Sequence, residues 1–315
     1  GVDPRVAHSL VEADLQRRTL VEEWRGPAAT SDGRAVELLA NVGDAAASEA
    51  AHEGGLAQGI GLARTELAFL KSTAEPGVTD QVRAYAQVIA PWRGSKVVVR
   101  TLDAGSDKPV AYATLPGEEN PALGVRGIRT SGPYPSILAN QLDAIAIAAM
   151  SAPETRVWVM APMVSTAAEA KWFADKARGY GLPKVGIMIE VPAAALRAEQ
   201  LLSIVDFASI GTNDLTQYTM AADRLDGNLA SLLDPWQPAV LEMIRHACNG
   251  GRATGKPIGV CGEAGGDPLL ALVLTGLGVA SLSMAPSKVN AVRAALRMHD
   301  LATCQQMAAF AVDAP

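Results

Sequence analysis

Arg64, Arg100, Glu190, Asp214 and Cys261 each stand at, or just past, the end of a short apolar run. The runs are GIGLAR (59–64), KVVVRTLD (96–103), KVGIMIE (184–190), DFASIGT (206–212) and PIGVCG (257–262). A lone Arg is ordinarily a surface or ion-pair residue. Two at the ends of successive runs, with Arg126 and Arg129 following in NPALGVRGIR (120–129), call for a different account. A charge held there without an anionic partner is costly, and guanidinium forks match phosphate and carboxylate. The set implies a small ligand with more than one anionic group.

The acids and the thiol each carry two readings. Asp214, in SIGTNDL (209–215), caps a following helix, a task that Thr212 or Asn213 would do as readily. Alternatively it joins Glu190 in holding a hard divalent cation, since Mg2+ takes one or two protein carboxylates plus substrate oxygens. A cysteine within a strand is usually a small buried hydrophobe, the reading given to Cys248 and Cys304. Cys261 differs in closing its run ahead of Gly262 and Glu263, a place that suits a general acid or base.

These residues need a frame that brings run ends together. With VELLANVG (36–43), VWVMAPM (157–163) and SLSMAP (281–286), the apolar runs number eight. They are rich in Val and Ile and lack polar alternation, as strands buried on both faces should. Between them lie stretches with helical spacing that end near Gly, such as TAAEAKWFADKARGYG (166–181) and PAVLEMIRHACNGGRATG (238–255). The alternation predicts an α/β fold, a (β/α)8 TIM barrel. A doubly wound open sheet is the rival, disfavoured because no Gly-x-Gly-x-x-Gly turn follows the first strand. Such a barrel gathers its chemistry at the C-terminal strand ends: Arg64, Arg100 to Asp103, Met163, Glu190, Thr212 to Asp214, and Cys261 to Glu263. Residues 6–24 read as a preceding helix stopped by Gly26 and Pro27. The expected division is a linker helix over 1–30 and the barrel over 31–315.

Composition agrees. A length of 315 residues suits one large barrel or two ordinary domains, and 49% hydrophobic residues provide a large core. With aromatics at 4%, Ala, Val, Leu and Ile supply most of its volume. The net charge is −6 with no basic run, which argues against nucleic acid or an anionic membrane as partner. Three cysteines without metal-ligand spacing argue against a disulfide framework or zinc site and fit a reducing cytoplasm. No segment reads as a bilayer span or a signal peptide. The opening Gly1-Val2-Asp3 reads as a fragment or a processed chain.

The same segments resemble a known family. GIGLARTELAFL, VVVRTLDAGSDKP, NPALGVRGIR, VWVMAPM, GIMIEVPAA, DFASIGTNDLTQYTMAADR and GVCGEAGGDP are similar, in this order, to the C-terminal region of Enzyme I. Enzyme I is the first phosphotransferase of the bacterial phosphoenolpyruvate:sugar phosphotransferase system. Pyruvate phosphate dikinase and phosphoenolpyruvate synthase share the Gly-Thr-Asn-Asp-Leu core, but Gln217-Tyr218 and the ending Ala-Ala-Asp-Arg lean toward Enzyme I.

The resemblance implies Mg2+-dependent phosphoryl transfer from phosphoenolpyruvate to a histidine, with release of pyruvate. It implies that Arg64, Arg100 and Arg224 bind the substrate's phosphate and carboxylate, with Arg126 as a further active-site arginine. Asn213 contacts the substrate, Glu190 and Asp214 hold Mg2+, and Cys261 protonates the enolpyruvate carbon. The implied partners are an N-terminal phosphohistidine domain, through it a histidine-containing phosphocarrier protein, and a second copy in a homodimer.

The sequence also departs from the family. GSDK (105–108) replaces Gly-Gly-Asp-Lys, and QLDAIAIAA (141–149) lacks the arginines usual there. None of His8, His52, His246 and His299 has the Thr-Ser-His context of the phosphorylated residue. The rival readings are another enzyme of the phosphoenolpyruvate/pyruvate class (a dikinase, synthase or lyase) and a non-catalytic phosphoenolpyruvate sensor.

Overall fold

A computed structural model describes residues 9, 11–15, 19, 21, 23–70, 74–104, 110 and 112–314. All eight apolar runs form strands: β1 Glu37–Val42, β2 Gly59–Arg64, β3 Lys96–Arg100, β4 Arg156–Ala161, β5 Val185–Ile189, β6 Phe207–Ile210, β7 Ile258–Val260 and β8 Ser281–Met284. Each pairs in parallel with its neighbour in sequence, and β1 closes on β8 through Glu37↔Ser281 to Ala40↔Met284. This is the closed (β/α)8 barrel expected from the alternation of runs and helical stretches.

The runs are longer than the strands. The third, expected over 96–103, stops pairing at Arg100, and residues 101–104 continue as irregular chain. Apolar content marks burial, and these residues are buried in a loop rather than in the ladder.

Helix limits follow local chemistry. Helix Ala167–Gly179 begins in a capping box: the Thr166 hydroxyl accepts from the Glu169 N–H while the Glu169 carboxylate accepts from the Thr166 N–H. Asp267 caps helix Pro268–Leu277 by accepting from the N–H groups of Leu269 and Leu270. Helix Pro238–Thr254 ends at Gly255, whose φ of 66° lies in the left-handed region that glycine adopts freely. The described residues between 9 and 23 are helical.

Two apolar layers hold the frame. The larger joins the outward faces of the strands to the helices. The smaller fills the barrel interior with Leu62, Val98, Met160, Met188, Phe207 and Cys261. Gly186 makes room there, since a Cβ on it would come within 2.5 Å of the Phe207 ring. The upper rim of this interior, at the C-terminal strand ends, is the floor of the main cleft.

Candidate active site

A cleft of about 330 Å³ opens at the C-terminal strand ends. It is lined by Leu62 and Arg64 from β2, Arg100 and Asp103 after β3, Met188 and Glu190 from β5, Gly211, Asn213 and Asp214 after β6, and Cys261, Gly262 and Glu263 after β7, with Arg224 and Leu225 on one side. Of the residues to which the family resemblance gives a role, all line it except Arg126.

Arg126 lies behind the wall, 1% exposed. Its Nη2 donates to Asp103 at 3.0 and 3.1 Å, and its Nη1 donates to Asp214 Oδ1 at 3.0 Å and to the Tyr218 hydroxyl at 3.3 Å. Arg100 donates from Nη2 to Glu66 Oε1 at 2.8 Å, and its Nη1 lies 3.3 Å from Asp103 Oδ2. Arg224 Nη1 is 3.6 Å from Asp214 Oδ2.

The charges therefore alternate along one path: Glu66, Arg100, Asp103, Arg126, Asp214, Arg224. Burial acts to lower the basicity of Arg100 and Arg126. Their acidic neighbours outweigh it and raise both above the ordinary value, so the cations persist. Removing one member of such a path takes a partner from each neighbour, and breaking a buried pair costs about 3–5 kcal/mol. Arg64 stands apart from the path. It is exposed at the rim and makes no ion pair with the described residues.

Glu190 is fully buried. Its Oε1 accepts from the Met163 N–H at 2.7 Å, while its Oε2 has no hydrogen-bond partner among the described residues. Burial, with Asp214 and Asp103 nearby, pushes its carboxyl up to about 8. A carboxylate this reluctant to ionise, with an oxygen to spare, is one whose proton a divalent cation readily replaces. Among the described residues, no three His, Cys, Asp or Glu side chains are placed to enclose a metal by themselves. Glu190 and Asp214 thus fit a cation that completes its shell with ligand and water oxygens.

Cys261 is 2% exposed, with its Sγ 3.6 Å from the Ile210 carbonyl. Burial pushes the thiol up to about 11, so it carries its proton at neutral pH and is suited to give that proton rather than to attack as thiolate. Asn41 Nδ2, on β1, donates past β8 to the Cys261 carbonyl at 3.0 Å. Cys248 and Cys304 are buried in helices Pro238–Thr254 and Leu301–Val312, away from the cleft.

The remaining expectations fall as follows. Asp214 sits in the first turn of helix Thr212–Met220, whose N-cap Gly211 has no side chain to offer. The Asn213 Oδ1 accepts from the Glu263 N–H at 3.4 Å, joining the loops after β6 and β7. Arg129 is turned away and donates to the carbonyls of Leu123 and Gly124 and to the Ser165 hydroxyl. His52 packs on Trp92, His246 lies beside Glu242, and the His299 ring meets the Ala295 carbonyl; none of them lines the cleft. His8 and GSDK (105–108) lie outside the described residues.

Sequence reasoning missed Asp103 and Glu66 as partners of the arginines. Asp103 closed the same run as Arg100, and Glu66 follows Arg64 by two. Alternating charge at adjacent run ends was the signal available for both.

The family described as PEP-utilising enzyme, PEP-binding domain, matches residues 18–301. A protein of Streptomyces coelicolor named phosphoenolpyruvate-protein phosphotransferase is 51% identical over 298 residues, covering 94% of this chain and 53% of its own length. One of the same name from Haloferax volcanii is 43% identical over 291 residues, covering 89% of this chain and 51% of its own. A multiphosphoryl transfer protein of Rhodobacter capsulatus is 38% identical over 307 residues, covering 96% of this chain and 37% of its own. The chain spans about half the length of the first two and less of the third.

Proposed function

The chain belongs to the PEP-utilising enzymes, matching their PEP-binding domain, and from that membership we propose that it is the phosphoenolpyruvate-binding, catalytic barrel of a phosphoenolpyruvate-protein phosphotransferase. In this reading it moves the phosphoryl group of phosphoenolpyruvate to a histidine on a separate domain and releases pyruvate, as the first step of sugar uptake. The observation that carries it is the buried Cys261 thiol on the floor of a cleft walled by Arg64, Arg100, Arg224 and three buried acids, Asp103, Glu190 and Asp214.

Arg64 and Arg224 take the substrate's phosphate and carboxylate first, being the less buried cations, and Arg100 meets the ligand at the floor. Asn213 contacts the substrate from the start of helix Thr212–Met220. Arg126 acts from behind by holding Asp103 and Asp214 in place. Glu190, through the oxygen that has no hydrogen-bond partner among the described residues, and Asp214 would hold Mg2+, whose contribution when bound is to neutralise phosphoryl charge.

The histidine nitrogen forms a bond to phosphorus as the bond from phosphorus to the enol oxygen breaks. The electron pair stays on the enolate. The Cys261 thiol gives its proton to the methylene carbon, pyruvate forms, and the resulting thiolate regains a proton from solvent. In the reverse direction the thiolate removes that proton.

The helical segment near the start is read as the linker from the histidine domain. That domain would pass the phosphoryl group to a histidine-containing phosphocarrier protein. A homodimer and a cytoplasmic setting belong to the same proposal; among the described residues no helix is long and apolar enough to cross a membrane.

The test uses labelled phosphoenolpyruvate with Mg2+ and three mixtures: the chain, a phosphohistidine domain from a relative, and both. Label should reach the added domain only in the third, at a modest rate because two separate pieces lack a linker's effective concentration. Label on the chain alone, or none anywhere despite bound substrate, overturns the reading.

A further inference from the structure

The arginines at the ends of β2 and β3 are held in step by a glutamine that never touches the cleft. Arg64 and Arg100 form the last registered pair between the two strands. Beyond them the ladder stops, yet Thr65 and Leu102 remain tied. Gln141, fully buried in helix Pro135–Met150, accepts at Oε1 from the Leu102 N–H at 2.7 Å. Its Nε2 donates to the Thr65 hydroxyl at 3.1 Å and to the Tyr85 hydroxyl at 3.0 Å. Thr65 donates in turn to the Arg100 carbonyl at 2.9 Å. Tyr85 donates to Gln81 Oε1 at 2.9 Å, and Gln81 Nε2 donates to the Pro76 carbonyl at 2.9 Å.

The hydrogens in this network have one arrangement. Both Gln141 N–H groups are used, each hydroxyl accepts from Gln141 and donates onward, and the Leu102 N–H needs the amide oxygen. Flipping the amide would set its NH2 against the Leu102 N–H, so the orientation follows from the bonding. Gln141, Gln81, Tyr85 and Thr65 are all buried, so a broken bond leaves an orphan that water cannot reach. Such an orphan carries the full cost of its desolvation.

The residues tied by Gln141 flank the charged ones. Thr65 lies between Arg64 and Glu66, and Glu66 grips Arg100. Leu102 lies next to Asp103, which grips Arg126. We infer that Gln141 is a positioning residue: its amide serves as an additional rung beyond the end of the β2–β3 ladder and sets how Arg64 and Arg100 are presented to an anionic ligand. Tyr85 and Gln81 anchor that rung to helix Val78–Ile89. The inference rests on the proposed function, because it takes phosphoenolpyruvate as the ligand.

The test is calorimetric titration of the chain with phosphoenolpyruvate and Mg2+, alongside thermal unfolding. Wild type, Gln141→Leu, Tyr85→Phe, Thr65→Val and the Gln141→Leu/Thr65→Val double variant are compared. Misplaced binding groups weaken function by factors of about ten to a hundred, so Gln141→Leu should raise the Kd at least tenfold. The double variant should be little worse than Gln141→Leu, because both changes break the same tie. A lower Tm with unchanged Kd, or Kd effects that simply multiply, would make Gln141 a fold-stabilising residue and overturn the inference. If Gln141→Leu does not fold, Tyr85→Phe decides: a weakened Kd supports the inference and an unchanged one overturns it. A wild-type chain that binds no phosphoenolpyruvate overturns the proposed function itself, an outcome distinct from wild type and variants binding equally.

Discussion

Met163 donates its backbone N–H to Glu190 at 2.7 Å from a left-handed conformation, with φ at 61°. A Met in that region is strained, and such strain persists where the surroundings over-determine it. Gly127 supplies the room, since a Cβ on it would fall 2.8 Å from the Met163 Cβ. The bond fixes one oxygen of a buried acid and leaves the other with no hydrogen-bond partner among the described residues. Two of the predictions below follow from that asymmetry.

The first concerns the metal. Phosphoenolpyruvate should bind more tightly with Mg2+ or Mn2+ than with chelator, and Glu190→Gln should erase most of the difference while keeping the side chain's size and the Met163 bond. Calorimetry checks it, and equal affinity with and without metal in the wild type would remove Glu190 and Asp214 as ligands. Asp214→Ala should lose the metal effect too, with added instability from the loss of its ion pairs with Arg126 and Arg224.

The second concerns pH. In the folded chain the Glu190 carboxyl is pushed from 4.5 up to about 8. Between those values the folded state holds a proton that the unfolded state has released, so stability falls as pH rises. The contribution is full below about 4.5 and gone above about 8. Urea unfolding in chelator at several pH values should show wild type losing stability relative to Glu190→Gln across this window. A constant difference between the two would contradict it.

The third concerns the thiol. Cys261→Ser should still bind phosphoenolpyruvate, because the arginines and acids are untouched. Phosphoryl transfer with an added histidine domain should fall by about two to four orders of magnitude, the scale of a lost general acid. Cys248→Ser is the control, buried elsewhere and expected to leave the rate near wild type. A Cys261→Ser rate close to wild type would return this thiol to the barrel's apolar filling.

The fourth concerns packing behind the site. A Cβ at Gly262 would stand 2.0 Å from the Thr212 hydroxyl and 2.7 Å from the Thr212 nitrogen. That nitrogen opens the helix carrying Asn213 and Asp214. Gly262→Ala should cost about 1–3 kcal/mol, as overpacking does, and weaken Mg2+-dependent binding. Gly179→Ala meets nothing within 4 Å and should be neutral or slightly stabilising at its helix end. Thermal unfolding and titration of both variants decide it.

The frame was legible because strand burial writes itself as runs without polar alternation, and all eight runs became strands. Arg64, Glu190, Asp214 and Cys261 could be placed because a barrel's topology puts run ends on one rim. The pairing was harder to read. Arg126 resembles a ligand-binding arginine in sequence, yet it lies behind the wall between Asp103 and Asp214, a choice made by loop geometry that spacing does not encode. Gln141 left less trace still. It is a polar residue ahead of the apolar run LDAIAIAA, and nothing local says that its amide is buried or that it meets two loops remote in sequence.

Closure of β1 on β8 has a consequence for how the chain is made. β1 ends at Val42 and β8 begins at Ser281, so a ribosome releases β8 only after all of the chain between them. At about 5–20 residues per second, on the order of ten seconds or more pass between them. Through that interval the edge of β1 has no partner, and the strand ends that will carry the arginines and acids have no common rim. The site therefore comes into being with the last strand. Until then the nascent chain offers an apolar strand edge to any neighbour.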